Sequence, residues 1–173
     1  MSMIKLPLTQ SVLEATHDRI AWTLDNFSRI CVSFSGGKDS TVMLHLTAQL
    51  ARARNKKICV LFIDWEAQFS YTITHCEKLR ELYKDIIEDF YWVALPLTTQ
   101  NSLTQFTPEW QCWEPGVKWV RQPPEDAIID PSFFPFYQPG ITFEIFVQKF
   151  AEWFSQQRPA AVMVGIRADE SYN

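Results

Sequence analysis

Residues 30–40 read Ile30-Cys31-Val32-Ser33-Phe34-Ser35-Gly36-Gly37-Lys38-Asp39-Ser40. The first five residues form a short apolar run typical of a buried strand, and a helix is predicted to begin at Ser40. The two glycines let the backbone take unusual dihedral angles, and they let an anion approach without a Cβ in the way. Successive N–H groups at the positive end of a helix form an anion-binding concavity. This stretch therefore predicts a strand, a phosphate-binding loop and a helix in direct succession.

Two other phosphate-binding loops do not fit this stretch. The Walker pattern needs a glycine five residues before its Gly-Lys pair, and Val32 occupies that position. Asp39 follows Lys38 where that pattern needs Ser or Thr, and G-x-G-x-x-G is absent. The alternative is a plain glycine turn with Lys38 in solvent, but the succession of strand, loop and helix favours a phosphate site.

Helices and strands alternate along most of the chain. Apolar residues that recur every three to four positions predict helices over 11–26, 40–53, 70–87 and 142–156. In the first of these, Ser11 and Glu14 form a capping box, and Leu13 lies on the inward face. Apolar runs predict strands at 30–34, 57–63, 90–95 and 160–164. This order predicts a single α/β domain over 1–173, with a Rossmann-like parallel sheet of about four to five strands and helices on both faces.

Three polar segments follow predicted strands and should meet at one edge of the sheet. They are the glycine loop, Asp64 and residues 166–171. Ligands of parallel sheets bind beyond the carboxyl ends of the strands, where the strand order reverses. We therefore expect the ligand at this edge.

Residues 97–140 interrupt the alternation and are interpreted as an insertion. They hold seven of the ten prolines, together with Trp110, Trp113, Trp119, Lys118 and Arg121. A connection of this length in a compact domain is usually a lid, a binding loop or a partner surface. A lid over the ligand is one interpretation. A small satellite core, or a surface for a homodimer or a partner subunit, is the other.

The composition excludes several classes of protein. Hydrophobic residues make up 47% and charged residues 21%, which is typical of a globular chain and not of a disordered one. The net charge of -4 argues against general nucleic-acid binding. Neither a secretory signal nor a membrane-length apolar run is found, so we expect a cytoplasmic protein without a membrane contact. The four cysteines form no C-x-x-C pair, so no iron–sulfur cluster is expected.

A family resemblance rests on two motifs. Ser35-Gly36-Gly37-Lys38-Asp39-Ser40 resembles S-G-G-x-D-S, the pyrophosphate loop of the PP-loop ATP pyrophosphatase (adenine nucleotide α-hydrolase-like) superfamily. The longer run 32–46 is similar to the branch that contains phosphoadenosine phosphosulfate (PAPS) reductases and the small subunit of ATP sulfurylase. Residues 165–171 resemble the second signature of that branch, G-x-R-x-x-E-S. The resemblance implies a HUP-type Rossmann-like fold and covers most of the chain except the insertion.

The resemblance also implies a set of site residues. ATP or a PAPS-type adenine nucleotide would be bound by Ser33, Ser35, Gly36, Gly37, Lys38, Asp39, Ser40, Asp64, Gly165 and Arg167. Lys38 and Arg167 would act in catalysis, with the planar fork of Arg167 on a terminal phosphate or sulfate. Mg²⁺ is expected, with Asp39 and Asp64 as weak candidate ligands.

Three functions remain open at this stage. The first is cleavage of ATP between the α and β phosphates to adenylate an unknown acceptor. The second is a PAPS or adenylyl-sulfate reductase-like protein that lacks the cysteine of a C-terminal tail, with Cys112 as a conceivable nucleophile. The third is a nucleotide-binding module without catalysis, in a regulatory or DNA-modification role.

Overall fold

A four-stranded parallel sheet forms the centre of the protein, in a computed structural model that describes residues 9–101 and 106–166. The strands, in chain order, are β1 (Arg29–Ser33), β2 (Ile58–Ile63), β3 (Ile87–Val93), β4 (Thr98–Gln100), β5 (Glu109–Gln111) and β6 (Ala160–Val164). The sheet has the order β3-β2-β1-β6, and β4 and β5 form a separate antiparallel pair. The chain therefore moves outward from β1 to β3 and then returns to the other side of β1.

Helices cover both faces of this sheet. They are α1 (Val12–Asn26), α2 (Lys38–Ala53), α3 (Ser70–Leu82) and α4 (Phe143–Ser155), with a short 3-10 turn at Pro131–Phe133. Right-handed crossovers place α2 and α3 on one face and α4, which follows the reversal, on the other. The predicted Rossmann-like α/β fold is confirmed, with four strands in the parallel sheet.

The sheet interior is apolar on both sides. All six residues of β2 are buried. The side chains of β3 point alternately to the two faces of the sheet. The ring centroids of Tyr91 and Phe150 of α4 lie 5.4 Å apart on one face, and those of Trp92 and Phe62 of β2 lie 4.8 Å apart on the other face. Burial on both faces is what a parallel sheet with two helical layers requires.

Several predicted boundaries are wrong by a few residues. The third helix ends at Leu82 rather than at 87, since the amides of Ile86 and Ile87 turn back to the carbonyl of Tyr83. The buried side chains of Tyr83 and Ile86 keep the helical spacing although the backbone has already left the helix. In α1 the capping box of Ser11 and Glu14 is confirmed, but Leu13 is 57% exposed. No helix within the described residues is long and apolar enough to cross a membrane.

The proline-rich insertion packs onto the domain. Leu97, Cys112, Trp113 and Phe134 are each at most 1% exposed and belong to the main hydrophobic core. Ile128 adds a bridge beside β3, where its amide donates to the carbonyl of Trp92 at 2.7 Å. The described part of the insertion is therefore continuous with the core of the domain.

Two buried carboxylates fasten the insertion to the end of β2. Glu66 accepts from the amide of Trp113 at 2.6 Å and from the amide of Val120 at 2.8 Å. Asp64 accepts from the indole of Trp92 at 2.8 Å and forms an ion pair with Arg121. We call Asp64, Glu66, Trp113 and Arg121 the clamp. Because a buried acceptor with charge-assisted bonds is costly to lose, the clamp fixes where the insertion lies relative to the sheet.

We predict that Glu66→Gln lowers the free energy of unfolding by about 1–3 kcal/mol, because one backbone N–H then faces an amide NH₂ and loses its acceptor. Urea unfolding, monitored by tryptophan fluorescence, measures this loss of stability. Glu125→Gln, at an exposed glutamate of the insertion, is the control and should leave the unfolding midpoint unchanged. Equal stabilities of the two variants would contradict a clamp at Glu66.

Candidate functional site

The glycine loop lies at the point where the strand order reverses. It follows β1, whose neighbours are β2 on one side and β6 on the other. In the register of the sheet, Ser33 is level with Val164, so the loop and Gly165 begin at the same height. Of the three segments expected to meet here, the glycine loop lies beside Gly165 at the end of the last strand, at the edge where parallel sheets bind their ligands, and residues 167–171 lie outside the described residues.

Main-chain amides at the start of α2 are available to a ligand. Gly37 is the N-cap residue of this helix and offers no side-chain cap. No described residue accepts from the amides of Gly36, Lys38, Asp39 and Ser40. The first amides of a helix lack internal partners, and together they carry a partial positive charge. These amides fit an anion with several oxygens.

Hydroxyl groups hold the loop in this shape. The Oγ atoms of Ser35 and Ser40 lie 3.0 Å apart, and the amide of Ser35 donates to Ser40 Oγ at 3.2 Å. Ser40 Oγ also approaches the carbonyl of Gly37 at 3.1 Å. The two serines thus bridge the loop from its first residue to the first turn of α2, which leaves its free amides preorganised.

Two glycines at the site, Gly36 of the loop and Gly165 after β6, lie very close to neighbouring residues. Gly36 has φ of +77°, and a Cβ there would lie 2.7 Å from Thr72 Cγ2 and 3.1 Å from Cys76 Sγ. A Cβ on Gly165 would lie 3.3 Å from the carbonyl carbon of Asp39. Gly36 is therefore required both by its dihedral angle and by the contact with α3, and Gly165 lets β6 approach the start of α2.

A small pocket of about 180 Å³ opens at the loop. Its lining comprises Ser33, Ser35, Gly37, Lys38, Asp39, Ser40, Val164 and Gly165. Seven of these eight residues belong to the predicted set, and Val164 is the addition. A whole drug-sized ligand usually occupies about 300–1,000 Å³. The pocket is therefore suited to phosphate groups and is too small for a complete nucleotide.

A second pocket of about 390 Å³ adjoins the loop on the side of α3. It shares Ser35, Gly36 and Gly37 with the loop and adds Ala67, Gln68, Phe69 and Thr72. The sequence analysis missed this second group, because the connection from β2 to α3 carries no recognisable motif. Its position after a strand at the ligand edge is the signal that could have indicated it.

The side chain of Lys38 pairs with the carboxylate that follows it in the sequence. Its Nζ lies 2.7 Å from Oδ2 of the neighbouring Asp39, and the two side chains are 83% and 54% exposed. An exposed pair of this kind contributes little to stability. Lys38 is thus free to exchange Asp39 for a phosphate.

The remaining predicted residues have different surroundings. Asp64 is fully buried. Its carboxylate accepts hydrogen bonds from the backbone amide of Glu66, the indole N–H of Trp92 and the guanidinium group of Arg121. A magnesium or ribose contact for Asp64 remains a prediction and requires that Arg121 move. Arg167 lies outside the described residues. Within the described residues no three His, Cys, Asp or Glu side chains are grouped as for a metal ion.

All four cysteines are buried. Burial raises the pKa of Cys59 to about 11 and the pKa of Cys76 and Cys112 to about 12, and it raises the pKa of Cys31 well above that of a free thiol. Cys112 is 0% exposed, and its thiol faces the carbonyls of Leu95 and Leu97. A nucleophilic cysteine must be accessible and deprotonated. The suggestion that Cys112 is a nucleophile is therefore wrong for this structure.

The fold and the loop define a PP-loop nucleotide-binding protein, and a family model agrees. The family described as "phosphoadenosine phosphosulfate reductase domain" matches residues 29–118. The chain belongs to this family. The match begins at β1 and includes the glycine loop, the clamp residues Asp64 and Glu66, and the first part of the insertion. Membership implies an adenine nucleotide as the ligand.

A longer relative is also similar to this chain. "Uncharacterized protein YbdN" of Escherichia coli (strain K12) is 73% identical over 173 residues. The alignment covers 100% of this chain but 43% of that protein, so the chain spans less than half of the relative's length.

We predict that Gly36→Ala abolishes nucleotide binding, since the added methyl group meets Thr72 and Cys76 and the backbone conformation is unfavourable for alanine. Isothermal titration calorimetry with ATP and with PAPS measures the loss. Gly116→Ala is the matched control, because Gly116 has φ of +82° and nothing within 4 Å of an added Cβ. Normal nucleotide binding by Gly36→Ala would contradict the close packing of the loop.

Alkylation tests the state of the thiols. Because burial raises the pKa of Cys112 to about 12, the folded chain should contain almost no thiolate there at pH 8. We expect iodoacetamide to modify Cys112 at least roughly 100-fold more slowly in the folded chain than in urea. Mass spectrometry of the labelled peptides gives both rates. Rapid labelling of Cys112 in the folded chain would restore the thiol-dependent alternative.

Proposed function

We propose that this protein binds ATP through the glycine loop and transfers its adenylyl group to an acceptor. In this reaction a nucleophilic oxygen or nitrogen of the acceptor forms a bond to the α-phosphorus. The bond between the α-phosphorus and the bridging oxygen breaks, and pyrophosphate leaves with the electron pair of that bond. The proton of the acceptor passes to solvent or to a base of the acceptor complex.

The observation that carries the proposal is the group of free amides at the start of α2. Lys38, Asp39 and Ser40 line the phosphate-sized pocket, and Gly36 lines the adjoining pocket on the side of α3; none of their four amides has an acceptor among the described residues. Each charge-assisted hydrogen bond contributes about 1.5–3 kcal/mol. A few such bonds are enough for micromolar affinity, which corresponds to about 8 kcal/mol. The loop would hold the β and γ phosphates, which are the leaving pyrophosphate.

Two basic side chains would complete the phosphate contacts. Lys38 exchanges Asp39 for a phosphate oxygen and neutralises charge that develops on the leaving group. Arg167, which follows the loop-facing Gly165 by two residues, would pair with the terminal phosphate, in the role that the family resemblance implies.

Mg²⁺ fits this site as a companion of the nucleotide. Asp39 is exposed at the pocket and can offer a carboxylate oxygen, whereas the carboxylate of Asp64 is already engaged by protein donors. Mg²⁺ is commonly held by one or two carboxylates together with substrate phosphates and water. When bound, it would neutralise phosphate charge. Asp39 is the residue that we propose to hold it.

The state of the cysteines favours adenylyl transfer over reduction of a PAPS-type substrate. Reduction would need a thiolate that attacks the sulfur, and each cysteine of this chain is at most 4% exposed with a raised pKa. Hydrolysis or transfer at the α-phosphorus needs no thiol from the protein.

We expect Lys38→Ala and Arg167→Ala each to weaken nucleotide binding by about 1–3 kcal/mol, because each variant loses one charge-assisted contact. Calorimetry with ATP, AMP and PAPS, with and without Mg²⁺, measures the change. Lys78→Ala removes an exposed lysine from α3 and should bind as the wild type does. If both site variants bind ATP and PAPS normally, the assignment of the phosphate site is wrong.

Pyrophosphate release identifies the reaction. The wild-type chain, mixed with Mg²⁺, ATP and candidate acceptors, should release pyrophosphate, and Lys38→Ala should release it more slowly. The expected loss is roughly 10- to 100-fold, the change in rate that corresponds to a contact of about 1–3 kcal/mol in the transition state. Sulfite release from PAPS in the presence of a thiol would instead support the reductase alternative. Nucleotide binding with neither product would support a module without catalysis.

A further inference from the structure

A third pocket at the glycine loop lies between the N-terminal ends of α2 and α3, and we call it the α2–α3 pocket. It has a volume of about 400 Å³ and is lined by Gly36, Lys38, Thr41, Tyr71, Thr72 and His75. Lys38 also lines the phosphate pocket. A small molecule in the α2–α3 pocket would therefore lie beside the phosphates that the loop is proposed to hold.

The imidazole of His75 is held in place from two sides. Its Nε2 lies 2.9 Å from Oγ1 of Thr41 on α2, and its ring centroid lies 6.3 Å from that of the buried Phe34. The neighbouring turn of α3 contacts the loop, because a Cβ on Gly36 would meet Thr72. A side chain on a helix that is fixed by packing and by a hydrogen bond has a well-defined position.

The second ring nitrogen of His75 is accessible. Within the described residues Nδ1 has no hydrogen-bond partner, and it is not among the buried polar atoms that lack one. When Nε2–H donates to Thr41, Nδ1 carries the lone pair. An imidazole that is oriented through one nitrogen and free at the other has the arrangement of a general base.

The charges around the pocket favour a neutral acceptor that carries a hydroxyl group. None of the six lining residues has a carboxylate, so an ammonium group would find no counter-ion among them. An anionic acceptor would be repelled by the nearby phosphates, and it needs no base because it has no proton to lose. A hydroxyl group is neutral and must lose a proton. Tyr71, which is 89% exposed, offers a ring face to the body of such a compound.

We propose that the α2–α3 pocket binds an acceptor with a hydroxyl group, and that Nδ1 of His75 removes the proton of this hydroxyl. The inference rests on the adenylyl transfer proposed above. As the acceptor oxygen forms its bond to the α-phosphorus, its proton passes to Nδ1, and pyrophosphate leaves with the electron pair of the broken bond. Thr41 is a positioning residue, because it keeps the lone pair of the imidazole on Nδ1.

Turnover with ATP, Mg²⁺ and benzyl alcohol as the hydroxyl probe tests the role of His75. We expect His75→Ala to lower kcat for pyrophosphate release roughly 100-fold or more, because a general base is lost, and to leave KM for ATP unchanged. His75→Gln can still bond to Thr41 but cannot take up the proton, so it should show the same loss. Added imidazole should restore part of the activity of His75→Ala, which the loss of a purely structural contact would not allow.

His45→Ala is the matched control for these variants. His45 lies on α2 and pairs with the hydroxyl of Tyr83, and it does not line the α2–α3 pocket. Its substitution should leave kcat unchanged. Full activity of His75→Ala and His75→Gln would overturn the inference.

NMR spectroscopy of the histidine side chains tests binding without turnover. Benzyl alcohol, benzylamine and benzoate share one ring and differ in the reacting group. In the presence of Mg²⁺ and α,β-methylene ATP, benzyl alcohol should shift the signals of His75 and bind at least roughly 10-fold more tightly than the two charged probes. Tighter binding of a charged probe, or unchanged signals of His75, would overturn the inference.

The two proposals fail in different ways. A wild-type chain that releases pyrophosphate with none of the acceptors contradicts the proposed function and the inference together. A chain that releases pyrophosphate without any need for His75 contradicts the inference alone.

Discussion

The loop between β1 and α2 is in close contact with α3 and with the end of β6, and the candidate site depends on these two contacts. Gly36 touches α3, and Gly165 brings the end of β6 against the carbonyl carbon of Asp39. A Cβ on Gly36 has no room, and a Cβ on Gly165 would require the backbone of Asp39 to shift by a few tenths of an ångström. Two serine hydroxyls also bridge the loop, so the amides at the start of α2, which have no acceptor among the described residues, are held in place. Preorganised donors of this kind bind anions without a further cost of ordering.

The clamp and the glycine loop lie at the same edge of the sheet, where the neighbouring strands β2 and β1 end. Asp64 and Glu66 follow the last residue of β2. Glu66 binds the insertion through the amides of Trp113 and Val120, and Asp64 binds it through the ion pair with Arg121. The chain then continues through Gln68 and Phe69, which line the second pocket beside the loop. The buried carboxylates therefore anchor both the insertion and the connection that forms the pocket wall. Their role explains how a segment rich in proline becomes part of the domain core.

Within the described residues, the two edges of the sheet have different surroundings. One edge combines exposed acidic residues with a covering loop, and the other exposes an apolar strand beside an apolar groove. The second edge adjoins the phosphate pocket through Asp39 and Gly165.

The sequence by itself determined the succession of strand, glycine loop and helix and the parallel α/β class, and seven of the eight residues that line the small pocket at the loop were among those it predicted to bind a nucleotide. These features are local, because they depend on apolar spacing, on glycine, and on the free amides of a helix start. Only the tertiary structure decided that Asp64 is held by Arg121 and Trp92, that Glu66 binds the insertion, and that Cys112 is inaccessible. Those outcomes depend on residues 15 to 57 positions apart, whose approach no local pattern encodes.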